Sequence, residues 1–139
     1  MIPFSKQDKY RAFYNISGKV GWIRIAKIDI GISDIYVTFN GRGMANLQLL
    51  VSSNNGFENV IEKKYYRYSN GINRFSKARI VSKGNSGSYL EIYNTVEITT
   101  VTKELYVTTA NIQGVTLMNE ETRVDEEIQD GYSKIEIEL

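Results

Sequence analysis

The chain has 139 residues and a formal net charge of +1, which is the size of a single domain. It contains no cysteine and no histidine, so disulfides, thiolate nucleophiles, cysteine zinc sites and Ser-His-Asp catalysis are excluded. We therefore predict no enzyme, no cofactor and no metal site. The balanced charge gives no general attraction to nucleic acid, and no apolar run approaches the ~20 residues that span a bilayer.

Turn signals and short strand-like segments alternate along the whole sequence. There is one proline against eleven glycines, and Gly or Asn-Gly turns separate segments rich in β-branched and aromatic residues. We assign residues 1–17 to an N-terminal lead-in and residues 18–139 to the domain. The spacing predicts about nine or ten short strands in an all-β, antiparallel β-sandwich of jelly-roll-like type.

The first strong strand, "GWIRIAKI" at 21–28, holds the only tryptophan together with two cations. In one interpretation, this strand forms an exposed site for sugar stacking or cation–π contact with Trp22, Arg24 and Lys27. The commoner arrangement is a tryptophan that anchors the core or a subunit interface, with the cations extending to the edge. We favour the second interpretation and assign Trp22 to a subunit interface.

Three later segments alternate with period two, which indicates strands with one buried face. In "DIYVTF" at 34–39 the apolar face carries Ile35, Val37 and Phe39. "SYLEIY" at 88–93 alternates in the same way, and "SKIEIEL" at 133–139 closes the chain with two isoleucines and a leucine on one face. We expect the closing strand to pair within a sheet.

The segment from 63 to 83 combines basic and aromatic residues. Such interleaving can bind nucleic acid or anionic glycans, whereas a hairpin with one solvated charged face is the commoner outcome. Asn70-Gly71 is a strong hairpin signal between strand-like flanks. If any surface of the chain binds a ligand, we predict that it is this one, through Tyr65, Tyr66, Arg67, Tyr68, Asn70 and Arg74.

The acidic segment from 119 to 130 matches no EF-hand spacing, and we predict a solvated loop with at most one helical turn. The glycine-rich stretches at 40–43 and 84–87 do not continue into a phosphate-binding sequence.

Several of these segments together resemble the distal knob domains of phage tail fibres and tail appendages. The segments that show the resemblance are "GWIRIA" at 21–26, "GSYLEIYNT" at 87–95, and "NIQGVTLMNEE" followed by "GYSKIEIEL". Val115 stands where many relatives have tryptophan. The resemblance implies a β-sandwich head, usually in a homotrimer, that touches the host cell surface. It implies no fixed catalytic residues, and receptor contacts would lie in variable loops.

The resulting expectation is a tail-fibre or tail-appendage tip domain of a phage or prophage, with a role in host-surface recognition or tail-tip structure. It would be made in the bacterial cytoplasm and carried on the virion tail, with residues 1–17 joining a fibre shaft. Its partners would be itself in a homotrimer, a bacterial surface glycan or other receptor, and other tail proteins. The alternatives are a free lectin or carbohydrate-binding module, a small β-barrel carrier of an apolar ligand, and an enzyme.

Overall fold

A computed structural model describes residues 11–15, 21–28, 31–40, 44–54, 57–67, 75–82, 88–94, 104–109, 115–124 and 133–139, and every one of these except Leu139 lies in a β-strand. The strands are β1 (Arg11–Asn15), β2 (Gly21–Ile28), β3 (Gly31–Asn40), β4 (Met44–Asn54), β5 (Phe57–Arg67), β6 (Phe75–Ser82), β7 (Ser88–Asn94), β8 (Glu104–Thr109), β9 (Val115–Val124) and β10 (Ser133–Glu138).

The ten strands form two antiparallel sheets of five. Sheet A has the order β1-β8-β3-β4-β5, and sheet B has the order β10-β6-β7-β2-β9. The pairing of β2 with β7 is nested along the chain inside the pairing of β1 with β8, and the two pairs lie in different sheets, as in double-sheet jelly rolls. The predicted all-β sandwich is confirmed.

The core lies between the sheets, and among the described residues it consists of aliphatic side chains plus Phe39. Strands β3, β4 and β8 supply most of it from sheet A, and β2, β6 and β7 from sheet B. Phe39 and Ile23 are among the largest fully buried side chains. Each buried side chain of this kind stabilises the fold by ~1.5–3 kcal/mol, so this layer accounts for the chain folding without disulfides.

A β-bulge in β2 explains why its sequence does not alternate cleanly. The register of β2 against both neighbours shifts between Arg24 and Ala26, and Ile25 and Ala26 are both buried in the core. Because a bulge inserts one extra residue into a strand, Arg24 and Lys27 lie on the same outer face although they are three positions apart. At the start of the strand, Gly21 has φ of 121°, a conformation that strains any residue with a Cβ.

The alternating strands behave as predicted. Ile35, Val37 and Phe39 of β3 face the core. The closing strand β10 pairs with β6, where Ile137 is buried and Leu139 packs against the core. It lies at an edge of sheet B, and Lys63 of the opposing edge strand β5 donates a hydrogen bond to the backbone oxygen of Glu138.

Two sequence expectations are wrong. The strands that flank Asn70-Gly71 do not pair with each other, because β5 is an edge strand of sheet A whereas β6 pairs with β7 and β10 in sheet B; Asn70 and Gly71 themselves lie outside the described residues. The chain changes sheets between Arg67 and Phe75, and a two-residue turn would have kept both strands in one sheet. The acidic composition predicts a loop, whereas residues 119–124 belong to β9; Thr122, Arg123 and Val124 pair with β2, and this pairing outweighs a weak strand propensity. The sandwich also includes β1, which the sequence pattern places in the lead-in.

Substituting Ile137 with Asp should destabilise the domain. Ile137 is 5% exposed, so the change removes apolar burial worth ~2 kcal/mol and adds an unpaired buried charge. We expect thermal melts to show a Tm lowered by roughly 10 °C or more. Glu138→Gln, on the exposed face one residue later, is the control and should melt with the parent; equal Tm values for all three proteins would contradict the placement of β10.

Candidate functional site

A row of charged side chains crosses the outer face of sheet B. Cross-strand register places Glu136 of β10 opposite Arg79 of β6, Arg79 opposite Glu91 of β7, and Glu91 opposite Arg24 of β2. Glu91 is fully buried and accepts hydrogen bonds from both arginines, at 2.6 Å from Arg79 Nε and 2.9 Å from Arg24 Nε. The charges alternate in sign along the row, which is the favourable cross-strand arrangement.

Aromatic rings flank this row and are covered by its cations. The guanidinium of Arg79 lies 4.0 Å from the Trp22 ring centroid, and that of Arg24 lies 4.1 Å from the Tyr89 ring. Trp22 also meets Tyr93 edge to face, with centroids 5.1 Å apart, and the ammonium of Lys77 lies 4.6 Å from the Tyr93 ring. These are the geometries of cation–π and aromatic pairing.

The predicted alternatives for Trp22 can now be compared. The Trp22 side chain lies on the outer face of sheet B, away from the core. It is nevertheless only 2% exposed within the single chain, so it offers almost no surface for stacking a sugar. A subunit contact at this place would have to be made by its neighbours, and an interface near Trp22 stays a prediction. Its ring nitrogen Nε1 is buried without a hydrogen-bond partner. The cation–π contacts therefore serve packing on this face.

The outer end of the row is solvent-exposed. Glu136 accepts a 2.8 Å hydrogen bond from Lys134, which lowers the pKa of this carboxyl, and the positive charges of Lys134, Lys77 and Arg79 act in the same direction. Glu136 consequently stays ionised further into the acid range than an isolated glutamate.

The outer face of sheet A is different in character, because tyrosine, amide and hydroxyl side chains on it are open to solvent. Register aligns two neighbouring rows across the four strands β8, β3, β4 and β5. One row contains Thr108, Tyr36, Gln48 and Lys64, and the next contains Tyr106, Thr38, Asn46 and Tyr66. Tyr36 and Tyr66 are 40% and 55% exposed. We call these eight residues the sheet A platform.

An open groove of about 240 Å³ runs across the platform. Tyr36 and Tyr66 lie at two diagonal corners, with Thr38, Asn46, Gln48 and Lys64 between and beside them; Val37 and Leu47 complete the lining. The groove is smaller than the ~300–1,000 Å³ of pockets that enclose drug-sized ligands. Its geometry suits a small unit lying on the sheet rather than an enclosed ligand.

A chain of hydrogen bonds fixes one side of the groove. Gln48 Nε2 donates to the Tyr36 hydroxyl at 3.0 Å, and that hydroxyl donates to Asp34 Oδ2 at 3.2 Å. The bond to Asp34 raises the pKa of Tyr36, and the negative charge of Asp34 adds to the effect. At the other side, Lys64 forms an ion pair of 3.3 Å with Glu62 on the same strand.

The predicted ligand-binding residues are only partly brought together. Tyr66 lines the groove, whereas Tyr65 points the other way and packs against the core. Arg67 ends β5, opposite Ala45, and its side chain is not described. Tyr68, Asn70 and Arg74 lie outside the described residues. A shared binding surface for these six residues stays a prediction.

Sequence reasoning missed four groove residues: Tyr36, Thr38, Asn46 and Gln48. Tyr36 and Thr38 occupy the polar positions of the alternating segment 34–39, a pattern that indicates a strand and not a site. Asn46 and Gln48 lie in β4, where the adjacent Leu49 and Leu50 interrupt the alternation. Only the register between β3 and β4 shows that the two polar faces form one surface.

Within the described ranges no group of three or more acidic side chains is placed to hold a metal ion. Residues 125–130 of the acidic segment lie outside those ranges. The part of the chain that the structure describes contains no helix with the length and apolarity needed to cross a membrane.

Comparison with known proteins adds no relative. The chain matches no protein-family model, no curated protein and no solved structure.

Replacing Glu91 with Gln should strongly destabilise the sandwich. The change leaves the buried guanidinium of Arg79 without its counter-charge, and breaking a buried pair from one side costs about 3–5 kcal/mol. Urea unfolding followed through the fluorescence of Trp22, the only tryptophan, would measure the loss. Glu136→Gln, at the exposed end of the same row, is the matched control and should leave the midpoint nearly unchanged. Equal midpoints for the two variants would contradict a structural role for Glu91.

Proposed function

We propose that this chain is a non-enzymatic head domain that recognises a glycan on a host cell surface, of the kind found at the tips of phage tail fibres. The binding surface is the sheet A platform. The observation that carries the proposal is the groove between Tyr36 and Tyr66, whose walls are two exposed aromatic rings and whose centre is lined by amide and hydroxyl side chains.

This combination matches the chemistry of sugars. A pyranose ring has an apolar C–H face, which packs on an aromatic side chain, and a rim of hydroxyl groups, which bond to Asn, Gln, Thr and Tyr. Neighbouring strands lie ~4.8 Å apart, so the four strands of the platform offer contacts over a length that suits a short stretch of a glycan. A rigid sheet also holds these groups in place, which lowers the entropic cost of binding.

The remaining candidates are weaker. A carrier of an apolar ligand needs an internal cavity, whereas the described residues form two separate sheets whose shared interior is filled by packed side chains. An enzyme would have to work without histidine or cysteine. A free lectin or carbohydrate-binding module would use the same platform, and oligomeric state is what distinguishes it from a fibre tip.

The binding test is a paired substitution on β5. Tyr66→Ala removes a groove ring that is 55% exposed, and Ile61→Ala removes a side chain that is 49% exposed outside the groove. On an array of bacterial surface oligosaccharides, we expect Tyr66→Ala to weaken binding about tenfold or more, in line with ~1–3 kcal/mol for an aromatic stacking contact. Ile61→Ala should bind as the parent does. If both variants keep full affinity, the platform is not the binding surface.

The assembly test is the mass in solution. A fibre tip that follows a three-stranded shaft should be a homotrimer, because closed cyclic symmetry lets each subunit bury the same patch. Light scattering at micromolar concentration should then give three times 15.9 kDa. A monomer that still binds glycan would favour the free lectin.

A further inference from the structure

The hydrogen-bond chain beside the groove has a fixed direction. An ionised carboxylate only accepts hydrogen bonds, so the Tyr36 hydroxyl uses its single proton on Asp34. Its oxygen is then left as an acceptor, and Gln48 donates to it through Nε2. This bond fixes the orientation of the Gln48 amide: Nε2 is turned toward Tyr36, and the acceptor Oε1 lies on the other side of the amide group, away from Tyr36.

The charged side chains around the groove also disfavour an acidic ligand. Lys64 is the one charged side chain among the described residues that line it, and Glu62 already pairs with Lys64. Asp34 adds a negative charge next to Tyr36, where its second oxygen, Oδ1, is buried without a hydrogen-bond partner. The charges beside the groove therefore leave a slight negative surplus, and Lys64 already has an acidic partner.

We infer that the groove is selective for uncharged, hydroxyl-rich saccharides and rejects acidic ones, and that the Asp34–Tyr36–Gln48 chain sets this selectivity. The inference rests on the proposed function and specifies its ligand class. A sugar hydroxyl can donate to Gln48 Oε1, whereas a carboxylate or sulfate at the same position places two acceptors face to face. Such a mismatch is a common source of specificity, because the bound ligand displaces water from both acceptors without giving either a donor. The ligand class differs from the anionic polymer that the basic segment 63–83 suggests.

The experiment compares neutral hexosides with their uronic acids, which differ only in carrying a carboxylate in place of the C6 hydroxymethyl group. We expect the parent protein to prefer the neutral member of the best-binding pair by about tenfold, the effect of one lost hydrogen bond. Asp34→Asn lets the chain reverse, since the new amide can donate to Tyr36 and Tyr36 can then donate to Gln48. The preference should fall to near parity.

The matched control is Tyr36→Phe, which keeps the ring and the negative charge of Asp34 but removes the hydroxyl that links Asp34 to Gln48. Because the chain is broken, the preference for neutral sugars should fall in this variant as well. If Tyr36→Phe keeps the preference of the parent while Asp34→Asn loses it, the charge of Asp34 explains the selectivity and the role of the chain is overturned. A parent protein that binds uronic acids better overturns the inference while the proposed function stands. If no saccharide binds, the proposed function fails and the inference fails with it.

A second measurement reports on the chain without any ligand. The phenol of Tyr36, identified by comparison with Tyr36→Phe in an ultraviolet pH titration, should ionise above the ordinary pKa of 10.0. Asp34→Asn should bring that pKa back down, because the phenolate is no longer opposed by a carboxylate. Glu62→Gln should have a smaller effect. An unchanged Tyr36 titration in Asp34→Asn would show that the chain does not form, whatever the saccharide results.

Discussion

Sheet B depends on one buried carboxylate. Glu91 lies at the centre of the sheet and accepts hydrogen bonds from Arg79 on one side and Arg24 on the other, which links the outer faces of β6, β7 and β2. Burying a charge is expensive unless it is paired and fully hydrogen-bonded, and here two cations share one anion. The aromatic rings of Trp22 and Tyr89 stabilise the surplus positive charge, since Arg79 lies against Trp22 and Arg24 lies against Tyr89.

The two outer faces of the sandwich thus have different tasks. On the face of sheet B, Arg79 covers Trp22, and Trp22 is as buried there as a core residue. The face of sheet A leaves tyrosines, amides and hydroxyls open to solvent over a small groove. Exposed aromatic residues rimmed by polar groups often mark interaction sites. For this reason the platform on sheet A is the better candidate for recognition.

In the selectivity that we infer, the hydrogen-bond chain next to the groove defines the ligand class. Asp34 does not line the groove, and it acts through Tyr36 on the amide of Gln48. A rigid sheet holds all three residues in register, so the direction of the bonds persists while the ligand exchanges. Recognition by orientation of donors and acceptors needs no net charge, in keeping with a chain whose formal charge is +1.

The sequence by itself determined the fold class, the alternating strands and the pairing of the closing strand within a sheet, because period-two patterns are local and report directly which face is buried. Tertiary structure decided what no local pattern contains. It separated β5 from β6, although Asn70-Gly71 favoured a hairpin, and it inserted a bulge that turns Arg24 and Lys27 to one face. It also brought Tyr36 next to Gln48 and buried Trp22 under Arg79. Each of these depends on register between strands that are distant in the chain, and register is set by the packing of the whole sandwich.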